Sequence, residues 1–72
     1  MFNEKLLEAL NRYQRREGKN PDIIKVHPTY YNNVLKELNY PEWLIQKKEM
    51  EQKKSLFGVK AIFTNDIETF EL

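Results

Sequence analysis

Ile23-Ile24-Lys25-Val26-His27-Pro28-Thr29-Tyr30-Tyr31 is the stretch on which the fold turns. Isoleucine and valine favour extended backbone, so residues 23–27 read as a strand. Proline has no N–H to give a sheet but suits the first turn of a helix, so His27-Pro28-Thr29 marks the change from strand to helix. From about Thr29 to residue 38, Tyr30, Tyr31, Val34, Leu35 and Leu38 form an apolar stripe at helical spacing. Asn39 can end that helix in a left-handed conformation, and Asn39-Tyr40-Pro41 breaks the chain.

Upstream, Leu6, Leu10 and Tyr13, with Leu7 beside them, predict a first helix over 3–17, with Asn3 as its cap and Gly18 as its left-handed stop. Lys19-Asn20-Pro21-Asp22 is then a turn. Downstream, a third helix begins near Pro41 and Glu42 and carries Trp43, Leu44 and Met50. Over 46–54 Met50 is the only apolar residue, so that stretch is a solvated face or a mobile arm. Residues 56–64 alternate enough for a strand, with Gly58 permitting a bulge or close backbone approach. Asn65-Asp66 supplies a turn and 68–72 alternate again, so the chain is expected to end in a β-hairpin. The reading is a single α+β domain, 1–72, of order α-β-α-α-β-β. A three-stranded mixed sheet is covered on one face by two or three helices. Its first and second strands are parallel if they are neighbours.

The chain has 72 residues, enough for one small core, and a core of this size rarely supplies more than about 3–5 kcal/mol. There is no cysteine, which excludes disulfides and thiol chemistry and points to the cytoplasm. A second subunit is the remaining reinforcement, so a homodimer is expected. Met1-Phe2-Asn3-Glu4-Lys5 places charge where a signal peptide needs an apolar run, and no stretch is long enough to span a membrane. Twelve Lys and Arg against eleven Asp and Glu leave a net charge of +1, with no global field for nucleic acid or membrane.

Chemistry is sparse. His27 is the single histidine, which rules out a two-histidine metal site, and its expected role is structural. Ser55 is the single serine and lies in neither a nucleophile elbow nor a phosphate-binding loop. Asp22, Asp66 and Glu68 lack the spacing of a carboxylate pair or a calcium loop. No catalytic residue, metal or cofactor is expected, and the chain does not read as an enzyme. Two surfaces remain. Tyr40 and Trp43, together with Phe70 and Leu72 on a final edge strand, are candidates for a protein interface with a second copy or another protein. Arg12, Arg15, Arg16 and Lys19 form a basic face on the first helix that could meet nucleic acid, although Glu8 and Glu17 dilute it.

Asn20-Pro21-Asp22-Ile23-Ile24-Lys25-Val26-His27-Pro28-Thr29-Tyr30-Tyr31 leads on to Leu56-Phe57-Gly58-Val59-Lys60-Ala61-Ile62-Phe63. The close is Asp66-Ile67-Glu68-Thr69-Phe70-Glu71-Leu72. This succession resembles small uncharacterised proteins of phages and prophages. In outline, and more distantly, it is similar to part of the peripheral domain of the phage major capsid fold. The resemblance implies an accessory phage or prophage protein that works by contact, and transfers no functional residue.

Overall fold

The sheet is assembled around β1 (Ile23–Val26), whose side chains alternate between a buried pair, Ile24 and Val26, and the exposed Lys25. The computed structural model describes residues 1–72. Around β1 it sets α1 (Phe2–Glu17), α2 (Pro28–Glu37), α3 (Glu42–Met50), β2 (Lys54–Leu56), β3 (Val59–Phe63) and β4 (Phe70–Glu71). The protein is α+β with a four-stranded mixed sheet of order β2-β3-β1-β4. β1 and β3 are parallel neighbours, with Ile24 opposite Ala61 and Val26 opposite Phe63.

Two expectations about the strands need correction. Residues 56–64 are not one strand: the chain folds back at Phe57 and Gly58, where φ is 52° and 77°. Two successive positive values make the two-residue hairpin turn that matches strand twist. Gly58 is thus a turn residue rather than a bulge, and β2 pairs antiparallel with β3 through Leu56 opposite Val59. Nor does the chain end in a hairpin. β3 already has β2 on one side and β1 on the other, so β4 crosses to the free side of β1 and pairs there antiparallel, Val26 opposite Phe70. The sheet gains a fourth strand by this route. The 46–54 stretch is ordered as well: α3 runs to Met50, and Glu49 accepts a 2.6 Å hydrogen bond from the Asn32 amide of α2.

All three helices lie on the face bearing Ile24, Val26, Val59 and Ala61. Leu6 and Leu10 of α1, Tyr30, Tyr31, Val34 and Leu35 of α2, Ile45 of α3 and Leu56 of β2 complete the core. Each fully buried aliphatic side chain contributes about 1.5–3 kcal/mol of hydrophobic stabilisation. The opposite face, with Lys25, Ser55, Lys60, Ile62 and Glu71, is open.

Helix ends follow local rules except at the start of α1. Gly18 stops α1 at φ 74°, its N–H on the Gln14 carbonyl at 2.8 Å, and Asn39 is left-handed at φ 64°. His27 begins α2, its Nδ1 accepting from the Thr29 N–H at 3.1 Å. Asn3 does not cap α1. The carboxylate of Glu37, far along α2, instead accepts from the Phe2 N–H at 2.8 Å and the Asn3 N–H at 3.2 Å. Free N–H groups at a helix start favour an anion, so this contact both caps α1 and ties it to α2. The Phe2 N–H above all, then that of Asn3 and the N-terminal charge, hold the Glu37 carboxyl below its ordinary range against partial desolvation.

A carboxyl whose folded pKa is depressed contributes stability above its unfolded pKa, and that contribution is lost as pH falls through the folded value. Glu37→Gln is therefore expected to be less stable than wild type at neutral pH, with the difference closing as the pH drops below the ordinary value of 4.5. Urea melts across that range check it, and parallel curves would overturn the assignment. At the hairpin, Phe57→Asn is expected to raise stability by about 1 kcal/mol, because asparagine tolerates a left-handed backbone and phenylalanine does not. A lowered urea midpoint would contradict this.

Candidate protein-binding edge

Two edges bound the sheet, and they differ in whether their main-chain groups are satisfied. At β2 the two-residue turn makes Leu56 and Val59 the hydrogen-bonded pair, so the carbonyl of Ser55 points outward. The Tyr31 hydroxyl of α2 donates to it at 3.3 Å. Lys53 and Lys54 flank the same edge, Lys54 with its ammonium 4.7 Å from the centre of the Phe63 ring. Lysines at an edge oppose pairing with another strand.

β4, two residues long and flanked by Glu68, has no side-chain cap of this kind. The Thr69 carbonyl accepts from the His27 N–H at 2.8 Å, and Lys25 pairs with Glu71, so the main-chain groups on either side of Phe70 face β1. Alternation along an extended strand turns those of Phe70 away from β1. No strand lies beyond β4, and none of the side-chain hydrogen bonds ends on Phe70.

The helix side of this edge is aromatic. The ring of Tyr30 lies between Phe2, edge-on at 5.4 Å, and Phe70, tilted at 5.5 Å. The Tyr30 hydroxyl donates to the Phe2 carbonyl at 2.6 Å. Burial, reinforced by the charge of Glu37, pushes the Tyr30 hydroxyl above its usual pKa, so it remains a donor at physiological pH. Beside Phe70 a hollow of about 460 Å³ opens between the first turn of α1 and β4, lined by Met1, Phe2, Lys5, Tyr30, Thr69 and Phe70. Phe2 stands there because Glu37 fixes the start of α1.

The four candidate interface residues do not form one surface. Phe70 and Leu72 are half-buried at the β4 edge, packed on the core. Tyr40 is half-buried on the β2 side, in a hollow shared with Leu35, Leu38, Ser55, Leu56 and Phe57, its ring 5.4 Å from the Lys48 ammonium. Trp43 stands alone on the first turn of α3, 66% exposed. The residues that complete the β4 site, Phe2 and Tyr30, escape sequence reading for different reasons. Phe2 precedes the expected helix start. Tyr30 lies in the apolar stripe, where core and surface roles look alike.

The basic candidates lie elsewhere again. After Leu10 no residue of α1 is buried, so Arg12, Arg15, Arg16 and Lys19 sit on exposed chain that has left the core. Arg12 pairs with Glu8 at 3.4 Å and Arg16 lies 5.6 Å from the centre of the Tyr13 ring, leaving Arg15 and Lys19 without such partners. His27 is occupied as the cap of α2. No helix is long and apolar enough to cross a membrane.

No protein-family model matches the chain, and no curated protein or solved structure matches it either.

Proposed function

We propose that the protein works by protein-protein contact in the cytoplasm, as a homodimer joined through the β4 edge. The observation that carries this reading is the contrast between the edges: Tyr31 caps the outward carbonyl of β2, while the outward groups of Phe70 on β4 meet nothing. An uncapped edge beside exposed aromatic surface is a place where a further strand gains both hydrogen bonds and apolar contact. The small core, with twelve buried hydrophobic residues, gains most from such an addition. The resemblance to small phage and prophage proteins supports an accessory role. Trp43 is a separate exposed contact on α3, open to a different partner.

Sedimentation equilibrium over a concentration series is expected to give twice the chain mass. Thr69→Glu adds a third carboxylate beside Glu68 and Glu71 on an exposed position of that edge, and is expected to weaken dimerisation about tenfold, roughly 1.4 kcal/mol. Trp43→Ala is expected to leave it unchanged. A monomer at every concentration would remove the reading, and so would a dimer sensitive to Trp43 alone.

One observation favours a second reading, binding of nucleic acid: the basic half of α1 stands clear of the core. Neutralising a few phosphates would make affinity fall with salt by a slope of about 0.9 for each one on duplex DNA. Under the leading reading neither DNA nor RNA retains the protein at low salt. Retention that fades with salt and is lost in the Arg12, Arg15 and Arg16 triple alanine variant would transfer the function to that helix.

A further inference from the structure

We infer that the second copy pairs antiparallel to β4 in one register, centred on Phe70, so that Phe70 of each chain faces Phe70 of the other across a twofold axis. This rests on the homodimer reading above and specifies its geometry. Two observations select it.

Orientation comes first. The Thr69 carbonyl and the main-chain groups of Glu71 face β1, so the outward groups within β4 are those of Phe70, followed by alternation at Leu72. In an antiparallel pair of identical strands, an outward residue on the twofold axis exchanges its N–H and C=O with its own mate, whereas an inward one forms a non-hydrogen-bonded pair. A register centred on Thr69 is of the second kind and sets Phe70 against Glu68 instead of a second ring, and one centred on Glu71 sets two carboxylates directly opposite.

The side chains that meet select among the registers. A register centred on Glu68 sets two carboxylates directly opposite, which is unfavourable between paired strands. Centring on Phe70 places Thr69 opposite Glu71 of the second copy, and Glu68 opposite Leu72. No acidic residue then faces another. The two Phe70 rings meet on the helix face, where directly opposite aromatic residues stabilise paired strands. The contacts from Phe2 through Tyr30 to Phe70 thus continue into the same series in the second copy. The hollow lined by Met1, Phe2 and Lys5 flanks this line, and the partner's strand closes its open side. The two β4 strands become the middle of an eight-stranded sheet whose two ends are β2 edges, each capped by Tyr31.

The chain has no cysteine, so introduced thiols report the register without background. Thr69 and Glu71 are exposed and lie outside the core cluster, so replacement leaves the core intact. Chains carrying Thr69→Cys are mixed with chains carrying Glu71→Cys and oxidised mildly, and dimer formation is followed separately by sedimentation. The expected result is a covalent heterodimer from the mixture, with at least tenfold less cross-linking in either variant alone. A non-covalent dimer that fails to cross-link in the mixture, or cross-links equally well in the single variants, overturns the register while leaving the homodimer standing. A monomer in sedimentation overturns both.

Discussion

Tyr30 and Tyr31 occupy consecutive positions on α2, about 100° apart around the helix, and the rest of the architecture depends on where their hydroxyls go. Tyr30 reaches the start of α1 and packs on Phe70 of β4, while Tyr31 packs edge-on against Phe63 and reaches Ser55 of β2. One helix thereby holds both borders of the sheet. Both hydroxyls are pushed above their usual pKa, each mainly by burial, and nearby carboxylates add to the shift. Replacing either by phenylalanine would keep the apolar packing and release a main-chain carbonyl.

Much of this was legible in the residues. The strand-to-helix junction at His27-Pro28 follows from proline chemistry, the stops at Gly18 and Asn39 from tolerance of positive φ, and the parallel pairing of β1 with the Val59–Phe63 strand from the helices between them. What was not legible depends mostly on partners distant in sequence, and in one place on an unusual local residue. Asn3 looks like a cap for α1, yet the capping group is Glu37, thirty-four residues further on. The hairpin at Phe57-Gly58 is masked because phenylalanine is an unusual occupant of a left-handed position, so the alternation appears to run straight through. β4 sits beside β1 because β3 has no free side, a consequence of topology that local pattern does not carry.

The candidate site was legible as residue types but not as an arrangement. Phe70 and Leu72 could be placed on an edge from their position in the last alternating segment. Their separation from Tyr40 and Trp43 could not, because it depends on β2 and β4 occupying opposite ends of the sheet. The functional asymmetry arises from the same order: the end that α2 reaches with Tyr31 is capped, and the end nearest α1 is left with outward main-chain groups beside exposed apolar surface. The basic half of α1 is a third region, set apart by the point at which the helix leaves the core.

The sheet order also fixes a sequence of events during synthesis. β1 is among the first elements to emerge, yet its partners come late: Ile23 waits for Lys60, and Val26 for Phe70, forty-four residues further along. Helices α1 and α2 can form from local contacts in the meantime, but the sheet cannot begin until the β2–β3 hairpin exists, and loop closure over such distances slows folding. Until then β1 presents two unpaired edges rather than one. Rapid burial of Ile24 and Val26 under α2 is the chain's available protection against pairing with a neighbouring nascent copy, which makes the apolar stripe of α2 as important to the yield of folded protein as to its final stability.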